Sequence, residues 1–232
     1  MGRRRIAMDD KKELIKKIVD IEWDMFTSVN EGEARASCQD DRVTFDGMRI
    51  AQYDAWSPEV VASFLNDVEN AQKNGRNLVE EKYIHMMKTT EPIRYSALLE
   101  RITVPAEAAV ALAQEVSDIL LEQTRVLFED YPYVSGHGRP LYSTLDYGSI
   151  SVETYQLSEL LTYSVKTLVA LLGHVKELEK AGVSLARLIL ENSVKFYGYN
   201  SLETAEAATK EQVEKQGIRI SFGCCAGEEC EF

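Results

Sequence analysis

Apolar side chains recur at intervals of three and four along most of this sequence, and that rhythm admits helices and little else. Over residues 9–29 it picks out Leu14, Ile15, Ile18, Val19, Met25, Phe26 and Val29, one face of a long helix. A second helix is read over 41–56, with Phe45, Met48, Gln52, Ala55 and Trp56 on one face. Ser57-Pro58-Glu59 opens a third helix that stops at Asn74-Gly75. Asn77 with Glu80 opens a fourth that ends before Pro92. Tyr95, Leu98, Leu99 and Ile102 outline a short fifth, and Pro105 precedes a long sixth. Ser151 caps a strongly apolar helix over 152–181, Ser184 opens one over 184–197, and 202–215 is the last. The expectation is an all-α fold of about eight to nine helices, in stacked helix hairpins around a single core.

Residues 9–216 are read as one helical domain, which suits a chain of 232 residues. Residues 1–8 are expected to be an extension, with Met8 as an alternative start, and 217–232 an extended tail. With 26 Lys and Arg against 38 Asp and Glu, the formal charge is −12, a poor match for a phosphate backbone, so no nucleic-acid partner is expected. The longest nearly apolar run, 167–175, is interrupted by His174 and falls far short of the roughly 18 to 20 residues that span a bilayer, so no membrane partner is expected either. Arg3-Arg4-Arg5 is followed by acids and lysines rather than an apolar stretch, and the four cysteines are read as reduced cytoplasmic thiols.

Val68, Lys73, Gly75 and Leu78 match Val175, Lys180, Gly182 and Leu185 at a constant offset of 107. The same offset aligns Trp56 with Tyr163 and Gln52 with Glu159. Two duplicated halves, 41–104 and 151–216, would produce this echo. So would any two capped helix hairpins.

The familiar motifs are absent. There is no Gly-rich phosphate loop, no G-x-S-x-G and no H-E-x-x-H. Glu81 and His85 share a helix face, but a carboxylate-bridged metal pair needs a second histidine copy. What stands out is a set of polar residues at inward positions: Glu22 inside the first apolar stripe, Arg49 and Gln52 on the second helix, Glu81, Lys82 and Tyr83 on the fourth, and Glu159 one turn before Tyr163. A buried carboxylate is costly unless paired, so these groups are expected to satisfy one another in a central cluster. Acids desolvated in this way become acid–base candidates. Surface salt bridges, with tyrosine hydroxyls at the core edge, are the plainer alternative.

Residues 130–150 break the rhythm with four tyrosines and Gly136-His137-Gly138-Arg139-Pro140, a loop long enough to close over a small anionic molecule. Cys224, Cys225 and Cys230 crowd the tail, with Cys38 far upstream in sequence. Metal binding through them is the less favoured reading, because the C-x2-C spacing of structural sites is missing.

Ile21-Glu22-Trp23, Ala36-Ser37-Cys38-Gln39-Asp40-Asp41, Glu81-Lys82-Tyr83, Glu153-Thr154-Tyr155, Glu159-Leu160 with Thr162-Tyr163-Ser164, and Tyr197-Gly198-Tyr199 form a specific string. In it the chain is similar to an uncharacterised bacterial family catalogued as a domain of unknown function, over roughly residues 9 to 210. That resemblance implies a soluble, mostly helical protein and supplies no reaction, cofactor or catalytic residue.

The residues themselves point to a small-molecule binder or enzyme. Glu22, Glu81 and Glu159 would be acid–base or cation-binding groups, and Tyr83 and Tyr163 orienting hydroxyls. Arg49, Gln52, Lys82, His137 and Arg139 would contact the ligand. The alternatives are a helical interaction or regulatory module without catalysis, and a thiol-based metal or redox sensor.

Overall fold

A computed structural model describes residues 8–29, 36–135, 138–146 and 149–216. Among them there is no strand, and eleven helices: α1 Met8–Ser28, α2 Arg42–Asp54, α3 Pro58–Lys73, α4 Leu78–Thr90, α5 Pro92–Leu98, α6 Glu107–Asp130, α7 Pro132–Ser135, α8 Val152–Leu160, α9 Val165–Lys180, α10 Leu185–Phe196 and α11 Leu202–Gln216. The fold is all-α, as expected. The count exceeds eight to nine for two reasons. α7 is a single turn inside the stretch read as irregular. The stretch 152–181 is two helices, because the chain leaves α8 at Leu161 and Ser164 restarts it, its hydroxyl accepting from Thr167 N. Leu160, Tyr163 and Leu168 are buried on both sides of that break, so the apolar rhythm runs through it undisturbed.

Capping decides most boundaries. Ser57, Asn77, Ser151, Ser164 and Ser184 each accept from a backbone N–H of the first turn they precede. The end of α1 has no glycine. Its open carbonyls are taken by side chains from elsewhere: Gln39 donates to Phe26 O at 2.7 Å and Val29 O at 3.0 Å, and Asn77 to Met25 O at 2.8 Å.

α1 packs on α2, α3 and α4, and α6 packs on α8, α9 and α10. The two sets interlock, since α3 lies against α9, α2 against α10 and α4 against α8. α3 and α9 have 16 residues each, start after a capping serine and stop at Gly75 and Gly182. Both glycines hold positive φ, 68° and 72°, which a Cβ would oppose. The chain then closes back through Arg76 N to Ala71 O and Val183 N to Leu178 O, both at 2.9 Å.

The main core collects Ile18, Val60, Val61, Val68, Leu168, Leu171, Val175 and Leu185, all essentially out of solvent. Each such side chain contributes about 1.5–3 kcal/mol of burial free energy. A smaller cluster forms separately where α7, α10 and α11 meet, from Leu127, Tyr131, Val134, Val194, Leu202 and Ala205. The expected single core is therefore one large cluster with a satellite.

Candidate functional site

Glu22 faces inward because it replaces an apolar residue on the buried stripe of α1, and it is 4% exposed. Its partner is Arg49 on α2, which donates through Nε to Glu22 Oε2 at 3.0 Å and through Nη2 to Oε1. The same guanidinium reaches across to α8, where Nη1 donates to both oxygens of Glu159 at 3.1 and 3.2 Å. Tyr53, one turn beyond Arg49, accepts from Nη2 and donates its own proton to Glu22 Oε2 at 2.7 Å.

Glu159 is the hub. Besides Arg49 it accepts from Gln52 Nε2 at 3.0 Å, Tyr163 OH at 2.8 Å and Lys82 Nζ at 2.8 Å. Two carboxylates thus face two cations, all at least four-fifths buried, and every carboxylate oxygen has a donor. Burial alone would push the Glu159 carboxyl up. The charges of Arg49 and Lys82, with the hydrogen bonds, override it and hold the group well below the usual carboxylate range. Burial also pulls on Lys82, but Glu159 beside it outweighs that and raises its pKa. Tyr53 and Tyr163 are driven well above the ordinary phenol value, first by burial.

At the edge of the network lies Tyr155, half-buried on α8. Lys82 Nζ sits 3.5 Å from its ring centroid and the Arg139 guanidinium 4.7 Å. Arg139 is exposed, and it hydrogen-bonds a carbonyl, Ile150 O at 3.1 Å, rather than a carboxylate. The segment carrying it is tied down by Asp146, which accepts from Ser151 N and Thr154 Oγ1 at 2.7 Å and Thr89 Oγ1 at 3.1 Å.

The structure therefore brings Glu22, Arg49, Gln52, Lys82, Glu159 and Tyr163 together, with Arg139 nearby. Glu81 does not join them. It is buried, yet its carboxylate is held bidentately by Arg76, at 2.8 and 2.6 Å. Tyr83 packs half-buried against the main apolar cluster. His137, Cys224, Cys225 and Cys230 lie outside the described residues, and Cys38 is half-buried against the main apolar cluster. Tyr53 and Tyr155 were not singled out in the sequence. Tyr53 could have been found, since it stands four residues after Arg49 on one helix face. Among the described residues, no group of three or more His, Cys, Asp and Glu side chains is arranged to hold a metal ion.

The family model for a protein of unknown function, DUF4125, matches residues 12–207. The chain belongs to this family. The match covers every member of the network, from Glu22 to Tyr163. No curated protein and no solved structure matches the chain.

Proposed function

We propose that this chain binds a small anion, carboxylate- or phosphate-bearing, at the Tyr155 edge of the network. Arg139 and Lys82 would make the contact, with Glu159, Arg49, Gln52 and Tyr163 as a rigid floor. The single observation that carries this reading is the placement of two cations over one tyrosine ring, where the buried charges behind are already balanced. Arg139 adds a positive charge facing solvent, which an anion would neutralise. Binding is favoured over turnover. Glu159 is ionised, Lys82 is an ammonium, and Tyr53 and Tyr163 keep their protons at neutral pH, so proton exchange with a substrate is unfavourable at each of them. We read the two interlocked halves as copies of one helical unit, with the site at their junction.

Calorimetry and thermal shift with phosphate, succinate and citrate test the reading. Binding that is lost in Lys82→Met and weakened in Arg139→Met supports it. Binding that is absent, or indifferent to both variants, ends it.

One observation favours an interaction module instead. A groove of about 500 Å³ between α2 and α10 is lined by Val43, Gly47, Ile50 and Phe196, and three of these apolar side chains stand exposed. Loss of a protein partner in Ile50→Asp, with anion binding unchanged, would favour that reading.

A further inference from the structure

The geometry points to His85 as a further contact of this site, one that recognises a hydroxyl group on the ligand. His85 is 6% exposed, and its Nε2 is buried with no hydrogen-bond partner among the described residues. Buried polar atoms in folded proteins are almost always satisfied, so an orphan marks a place where something is missing.

Its position says what that place faces. On α4, Lys82, His85 and Thr89 are spaced by three and four residues and share one helix face. Lys82 reaches Glu159 and the Tyr155 ring on α8. Thr89 reaches Asp146, which is itself bound to Thr154 at the start of α8. His85 stands between these two contacts, so it belongs to the same α4–α8 seam and lies one turn from Lys82. The corresponding seam between α2 and α10 shows the contrast. There Asn192, 107 residues after His85, donates across to Ala51 O at 3.1 Å. The same position is satisfied across one helix pair and left open in the other.

Burial, with Lys88 adding to it, draws the ring's pKa down to about 4, so the imidazole is neutral at physiological pH. A neutral imidazole offers one N–H and one lone pair, and it complements a hydroxyl better than a second anionic oxygen. With Lys82 and Arg139 taking the anion, the ligand class becomes a hydroxylated anion, a hydroxy acid or a sugar phosphate. This inference rests on the anion-site reading above and narrows it.

Matched probes separate the two claims. Malate against succinate, and glycerol 3-phosphate against propyl phosphate, differ chiefly by hydroxyl groups. In the native chain the hydroxylated member of at least one pair should bind about tenfold tighter and move the His85 ring 15N resonances. His85→Phe should erase that preference while retaining the deoxy probe. His85→Asn, which restores the counterpart residue and keeps a polar side chain, guards against simple misfolding and should keep part of the preference. Equal binding of both members of each pair, or a preference untouched in both variants, overturns the role of His85 and leaves the anion site standing. Failure of all four probes to bind overturns both.

Discussion

Gln52 on α2 and Glu159 on α8, 107 residues apart, touch: Gln52 Nε2 donates to Glu159 Oε1 at 3.0 Å. One turn further on, Trp56 and Tyr163 are also 107 residues apart, and their rings meet edge to face at 6.1 Å. The charged network is not repeated at that offset. Gln156, 107 residues after Arg49, donates to the backbone and hydroxyl of Ser117 on α6, and Ile189 stands 107 residues after Lys82.

Arg49 is the joint between Glu22 and Glu159, so Arg49→Met should be the most damaging single change in the network. It would leave Glu22 without a cation and Glu159 with one, at a cost of about 3–5 kcal/mol. Urea unfolding monitored by circular dichroism measures this. A loss below about 1 kcal/mol would mean that the pairs contribute little beyond their own desolvation.

Acid should weaken the fold in two separable steps. The His85 ring titrates near 4 when folded and near 6.5 when unfolded, so the unfolded chain binds the extra proton first. Stability is then complete above about pH 6.5 and falls by about 3 kcal/mol as pH drops to 4. Glu159 acts lower: its folded carboxyl is depressed, so its contribution is present above the ordinary value of 4.5 and is lost as pH falls below it. His85→Asn should flatten the stability curve between pH 6.5 and 4, and Glu159→Gln should flatten it below 4.5. Unchanged slopes in His85→Asn would contradict a ring kept neutral by burial.

At Gly47 two effects compete. A Cβ built there would lie 2.3 Å from the Phe196 ring, while alanine in a helix interior gains about 1 kcal/mol over glycine. Phe196 is 42% exposed and can turn away at some loss of contact. Gly47→Ala should therefore be close to neutral in the native chain and stabilise the Phe196→Ala background by about 1 kcal/mol. A double-mutant cycle by thermal unfolding would expose this coupling, and strict additivity would refute it.

Gly182 closes α9 with φ of 72° and has open space where a side chain would go. Gly182→Ala should cost about 1 kcal/mol through backbone strain alone. Gly182→Asn, which tolerates this conformation better, should cost less. Equal losses in the two variants, measured by chemical denaturation, would argue against strain as the cause.

Helix content, the capping Ser57 and Ser151, the glycine stops and the inward placement of Glu22, Glu81 and Glu159 were legible in the sequence, whereas the restart at Ser164 was not. Each depends on neighbours within a turn or two: apolar spacing sets the buried face, and a side-chain oxygen or a missing Cβ sets the ends. Which buried groups would meet was a tertiary matter. Successive helical positions are rotated by about 100°, so Glu81 and Lys82 face different neighbours. Lys82 turns to Glu159, and Glu81 to Arg76 in the loop before its own helix. The pairing of Arg49 with both Glu22 and Glu159 spans 27 and 110 residues, a distance over which no local spacing rule operates. The buried nitrogen of His85, without a partner among the described residues, could not be foreseen either, because a missing partner is a property of what the fold places around the ring rather than of any stretch of chain.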